Sequence, residues 1–100
     1  MEKKDGGVWI RVKASTVPAS LAGALMLQMD SDPDTPVFLS AIGAGAVNQA
    51  VKAVIIADGF ARSRGLYLRA MPRFSKEVIG SGELRTSIVF PIEKEWLARS

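Results

Sequence analysis

Apolar and polar positions begin to alternate at the eighth residue. In VWIRVKA (8–14), Val8, Ile10 and Val12 fall on one side and Trp9, Arg11 and Lys13 on the other, the period of a half-buried strand. Ser15 and Thr16 then supply capping side chains, and Pro18 suits the first turn of a helix, where its missing N–H leaves nothing unpaired. In LAGALMLQM (21–29), Leu21, Ala24, Leu25 and Gln28 or Met29 recur at helical spacing. DSDPDTP (30–36) ends that helix, and VFLSAI (37–42), apolar and partly β-branched, reads as a well-buried strand.

Gly43, Ala44 and Gly45 make a turn into a second helix, expected over 46–58 and stopped by Asp58-Gly59, with Gly59 suited to a left-handed cap. ARSRG (61–65) is a short basic connection. LYLRAMPRF (66–74) reads as a strand in which Pro72 marks a bulge or an edge. SKEVIGSG (75–82) reads as a long hairpin loop, and ELRTSIVFPI (83–92) alternates again. Residues 1–7 read as a flexible polar lead-in. EKEWLARS (93–100) reads as a charged tail whose Trp96 and Leu97 dock onto the body. The order βαβαββ predicts an α+β two-layer sandwich over residues 8–92. Its sheet is mixed and four-stranded, both helices lie on one face, and the first two parallel strands are joined by a right-handed crossover.

Composition narrows what such a domain does. At 100 residues, 48% of them hydrophobic and 23% charged, the chain is one globular unit. It has neither cysteine nor histidine, which excludes disulfides, thiolate metal sites and Ser-His-Asp or Cys-His catalysis. Asp58 and Glu77 have no evident carboxylate partner and no nucleophile–base pair stands out, so neither enzyme activity, metal nor cofactor is expected. MEKKDGG is followed by no apolar signal core, and no run approaches the ~18 apolar residues of a membrane span, so a soluble cytoplasmic protein is expected.

Charge is unevenly placed. Residues 1–50 hold four basic against five acidic side chains, whereas residues 51–100 hold nine against five. Arg62, Arg64, Arg69, Arg73, Lys76 and Arg85 supply most of the excess. A local basic surplus suits a phosphate-bearing partner, or is simply a solvated surface.

The stretch AIGAGAVNQAVKAVIIADGF (41–60) carries the clearest candidate site. On a helix, Val47, Ala50, Val51 and Val54 gather toward the sheet with Ala46, Ala53 and Ala57 beside them, while Gly45, Asn48, Gln49, Lys52 and Ile56 face away. Free N–H groups at the helix start, with Gly43 and Gly45 lacking Cβ atoms, suit an anion or a partner. The same small residues equally allow close packing on the sheet. Neither a full GxGxxG nor a Walker motif is present.

This stretch resembles the core of the bacterial stage V sporulation protein S family, and Val12–Leu25 resembles that family's first strand and helix. The resemblance covers residues 8–92 and extends to the Alba superfamily of nucleic-acid-binding proteins. It implies an Alba-like fold, a homodimer, nucleic-acid binding and a place in developmental regulation. Positions matching the Alba contact regions are Lys13, Ser15 and Thr16 at the first strand–helix junction, and Gly43, Gly45, Asn48, Gln49 and Lys52 at the second helix. Arg73, Lys76 and Arg85 match the terminal hairpin arm. Alba proteins carry a more basic first junction and a basic turn before the second helix. Here the junction keeps Lys13 alone and the turn is Gly-Ala-Gly.

Three functions remain open on these residues. The first is a dimeric nucleic-acid-binding regulator, DNA or RNA, with Arg62 and Arg64 joining the phosphate contacts. The second is a protein-assembly module that uses Asn48, Gln49 and Ile56. The third is a sensor that holds a small anion at the Gly43–Gly45 turn.

Overall fold

The computed structural model describes residues 1–97. Its elements are strand β1 (Glu2–Lys4), strand β2 (Gly7–Val12), helix α1 (Pro18–Ser31), strand β3 (Val37–Ala41), helix α2 (Ala44–Arg62), and strands β4 (Leu66–Ala70), β5 (Arg73–Val78) and β6 (Leu84–Trp96). They form an α+β fold of two layers. A mixed sheet in the order β1-β2-β3-β6-β4, with β5 also on β6, is covered on one face by both helices. β2 and β3 run parallel and the other pairs antiparallel.

The core follows from the alternation. Val8, Ile10 and Val12 stand opposite Val37, Leu39 and Ala41, and Phe90 and Ile92 of β6 complete the row. Leu21, Leu25, Met26 and Met29 of α1 close over it. The expected βαβαββ order is therefore present, inside a sheet of six strands rather than four.

The added strands lie where charge conceals a pattern. Residues 1–7 are not a loose lead-in. Glu2–Lys4 pair with Gly7–Trp9 through Asp5 and Gly6, whose φ values of 51° and 74° make the two-residue Asp-Gly turn favoured in hairpins. Most of the expected tail continues β6, where Glu95 lies opposite Tyr67 and Glu93 opposite Arg69. Arg69 Nη2 reaches Glu93 at 3.0 Å and Glu95 at 2.7 Å, so the alternating charges form a cross-strand ladder. Trp96 is exposed rather than docked. Residues 98–100 of that tail lie outside the described residues.

Helix α2 passes straight through Asp58-Gly59. Asp58 Oδ2 accepts from Arg62 Nε at 2.8 Å one turn ahead, and Ala57 and Ala61 continue the buried line. Pro72 causes no bulge. Ala70 lies opposite Ile92 and Arg73 opposite Val89, so both strands advance equally between these pairs. Pro72 sits in the break between β4 and β5, where its missing N–H interrupts no ladder. The expected loop 75–82 shrinks, because β5 runs on to Val78. β5 and the first half of β6 form a projecting arm, and the molecule measures 51 × 26 × 21 Å.

Candidate nucleic-acid interface

The turn between β2 and α1 is closed by its own side chains. Thr16 Oγ1 accepts from the Lys13 N–H at 2.8 Å, and the Thr16 N–H donates to the Lys13 carbonyl at 3.0 Å. Ser15 and the Lys13 side chain stand exposed on it. The start of α2 lies directly against this turn. Gln49 Nε2 donates to the Ala14 carbonyl at 3.2 Å, and a Cβ on Gly45 would lie 3.0 Å from that of Ala14. Gly45 is therefore a close-approach glycine. Gly43 has a different reason: its φ of 91° and ψ of 155° are open to glycine alone, and nothing lies within 4 Å of where its Cβ would be. No side chain caps α2, so its first N–H groups lack an intrahelical or side-chain acceptor.

The orientation of α2 follows the expected one and departs from it at Val51 and Ile56. Its buried line is Ala46, Ala50, Ala53, Ala57 and Ala61, a ridge of small residues that brings the helix close to the sheet and to α1. That spacing was legible, and Val47 and Val54 flank the ridge against the core as expected. Val51, expected inward, is 43% exposed, and Ile55 is 64% exposed. Ile56, expected outward as a partner contact, is partly buried against the core. Asn48 and Lys52 are exposed as expected, whereas Gln49 is half-buried by its bond to Ala14.

The cations divide into two groups. Arg62 is paired with Asp58 at 2.8 Å, Arg64 holds both oxygens of Asp30 at 2.7 and 2.6 Å, and Arg85 is paired with Glu83 at 2.6 Å. Lys13, Lys52, Arg73 and Lys76 form no ion pair among the described residues. Burial pushes the Asp58 carboxyl up. Hydrogen bonds from Arg62 and from the Leu68 N–H, with the Arg62 charge, outweigh that and hold it below the usual carboxylate range.

Between the first turns of α2 and the base of the arm runs an open groove of about 610 Å³. Val47, Asn48 and Val51 line it on one side and Phe74, Thr86 and Ile88 on the other. Phe74, Lys76 and Val78 share the arm's helix-side face with Leu84 and Thr86, and Phe74 is 79% exposed. On the opposite face Ser40 Oγ donates to Glu77 Oε2 at 2.5 Å, and Arg11 lies 3.7 Å from Glu77 Oε1. This latch ties the arm to the central strands. Sequence reasoning missed both the latch and the exposed arm apolars, because residues 75–78 looked like loop.

Such an arrangement defines a small α+β protein whose candidate site is an open contact surface: a projecting arm, an uncapped helix start, and Lys13, Lys52, Arg73 and Lys76 without ion pairs among the described residues. The family model described as Stage V sporulation protein S (SpoVS) matches residues 8–95, and the chain belongs to that family. Membership gives it a sporulation-related, regulatory role. No helix among the described residues is long and apolar enough to cross a membrane.

Proposed function

We propose that the protein is a non-enzymatic, dimeric nucleic-acid-binding regulator of the sporulation process. The observation that carries this reading is the placement of the unpaired cations. Lys13 and Lys52 flank the junction where the first turn meets α2, and Lys76 rides on the helix-side face of the arm, so basic contact points lie at the two ends of one surface, with Arg73 at the base of the arm alternating to the other face. Between them the uncapped start of α2 offers backbone N–H groups to a phosphate. Ser15, Thr16, Gly43, Gly45 and Asn48 would line that approach. Arg62, Arg64 and Arg85 already hold carboxylates and contribute less. Contacts of this type position a nucleic acid without reading its sequence. A second copy covering Val51, Ile55 and Phe74 would double the footprint and hide the largest exposed apolar surface.

The test is fluorescence anisotropy with a random-sequence duplex and a single-stranded RNA over a range of salt. With about four to six phosphates neutralised per dimer, log K falls against log salt with a slope of about −4 to −5. Lys13→Glu/Lys52→Glu and Arg73→Glu/Lys76→Glu each weaken binding and flatten the slope, whereas Arg64→Glu changes it little. A flat salt response in the unmodified protein overturns the reading.

One observation favours a second reading, a protein-assembly module. Phe74, Val78 and Leu84 form an exposed apolar row on a single face of the arm. Under that reading the charge reversals leave partner binding intact and Phe74→Asp abolishes it.

A further inference from the structure

The hydrogen-bond parity of the outer strands leaves one edge open. Gly65 lies opposite Leu97, and Ile79 opposite Glu83, in the unbroken register of β4 and β5 on β6. The Leu97 N–H donates to the Gly65 carbonyl and the Ile79 N–H to the Glu83 carbonyl, both at 2.9 Å, so the odd positions of this run bond to β6. The even positions turn their N–H and C=O groups outward. Leu68 obeys the same parity, since its N–H leaves the sheet for Asp58 Oδ1 at 2.8 Å. That bond guards the middle of the outer edge of β4, and Pro72, also at an even position, has no N–H to offer. β5 has no such guard. The N–H groups of Phe74, Lys76 and Val78 point outward and meet no acceptor among the described residues. A row of unpaired strand groups is a template for another strand.

The side chains of β5 select the strand. Antiparallel pairing of β5 with β5 of a second copy needs outward groups on both sides, so the admissible registers differ by steps of two residues. In one of them Phe74 pairs with Lys76 of the second copy, Ser75 meets Ser75 on a two-fold axis, and Arg73 stands opposite Glu77. Val78 then falls opposite Pro72, which keeps its carbonyl, so all three outward N–H groups find acceptors. Opposite charges directly across a ladder stabilise it and like charges do the reverse. Moving two residues one way sets Lys76 against Lys76. Moving two the other way takes Arg73 away from Glu77. The favoured register also brings Val78, on the helix side, to a groove of about 270 Å³ that Val51, Ile55 and Pro72 line on the second copy. Val51, Ile55 and Val78 are all exposed in the single chain, and one contact covers the three.

We propose that β5 pairs antiparallel with β5 of a second copy in this register, joining two sheets into one across an axis at Ser75. The proposal rests on the dimer of the proposed function and gives it a geometry. The two arms lie side by side, with Lys76 of both copies on the helix-side face.

The experiment is cysteine cross-linking together with sedimentation and amide exchange, all without nucleic acid. The chain has no cysteine, so a single substitution reports one distance. Ser75 meets Ser75 at a position without mutual hydrogen bonds, where Cα atoms lie about 4.5 Å apart, within the span of a disulfide. Phe74 and Lys76 each lie two positions away from their own copies, beyond that span. Ser75→Cys is therefore expected to oxidise to a covalent dimer at least about tenfold faster than Phe74→Cys or Lys76→Cys. The unmodified protein is expected to sediment as a dimer, and exchange at Phe74, Lys76 and Val78 to slow as its concentration rises. Cross-linking as fast at position 74 or 76, or none at position 75, overturns the proposal. A dimer whose β5 amides exchange equally fast at every concentration overturns the strand pairing and leaves the dimer standing. A monomer overturns both. Nucleic-acid affinity enters none of these measurements, so failure here is distinct from failure of that part of the proposed function.

Discussion

Gly43 and Gly45, two residues apart, do different work. Gly43 holds a backbone conformation that side chains resist, so Gly43→Ala costs about 1–3 kcal/mol in urea unfolding. Gly45 is in helical backbone and only its neighbour objects. Gly45→Ala pushes on Ala14, and Ala14→Gly in the same chain restores the loss, which a double-mutant cycle reads directly. Asp58 makes the pH-dependent contribution. Its folded pKa is depressed, so its stabilisation is complete above the unfolded value of about 3.9 and is lost as pH falls through the lower folded value. The stability difference between the unmodified protein and Asp58→Asn should therefore shrink on acidification below that point. A difference that grows instead would mean that burial dominates. The glycine turn was legible in the sequence as a special point. Its split into one conformational and one packing glycine was not, because Ala14 is distant along the chain and meets Gly45 only after folding.

At the scale of elements, the arm and α2 decide what the surface presents. The arm is a two-stranded ribbon beyond the body, and such ribbons are weak alone. Glu77 anchors it through Ser40 and Arg11, and the Glu77 side chain is only 11% exposed. Ser40→Ala leaves that carboxylate without its short hydrogen bond. Amide exchange in Arg73–Val78 should then quicken while β2 and β3 keep their protection. Equal quickening throughout the sheet would show that Ser40 supports the core instead. In α2, Ile55 and Ile56 separate surface from core. Ile55→Asp should leave stability nearly unchanged and lower the apparent mass in sedimentation. Ile56→Asp should cost about 2 kcal/mol or more of folding stability, since it places a charge against the core. The reversed result would return α2 to the orientation its valines suggest. Pattern alone located both helices and the central strands. It put the alanine line of α2 inward and misjudged only Val51 and Ile56 at the edges of that line, because their burial depends on how closely the small residues let the helix approach its neighbours.

For the whole molecule, charge is arranged by pairing rather than by count. The second half of the chain looks broadly basic in sequence. Folding gives Arg62, Arg64, Arg69 and Arg85 carboxylate partners and leaves Lys13, Lys52, Arg73 and Lys76 without one among the described residues. The two sheet faces then differ in kind. The helix face ends in an apolar groove between α2 and the arm, and the open face carries the Trp9–Phe38 stack beside a polar cavity. The second-copy contact proposed above uses the first face. Phe74→Asp should therefore alter the proposed self-association, and Trp9→Phe on the other face should leave the sedimentation unchanged.

The sequence by itself determined the class of fold, the order of its central elements and the family. These rest on local properties: period-two alternation in Val8–Val12, helical spacing after Pro18, and the long motif at 41–60. Tertiary structure alone decided the rest. Strands charged at consecutive positions, such as Glu2–Lys4 and Glu93–Trp96, resemble solvated chain until a partner strand supplies their hydrogen bonds and counter-charges. Which arginines are already paired depends on residues as distant in sequence as Asp30 and Arg64. The meeting of Ser40 with Glu77, and of Lys4, Trp9 and Arg11 with the arm, depends on how the sheet brings its strands together. Local periodicity can fix an element's existence. Contacts between elements require the distances that only the folded chain possesses.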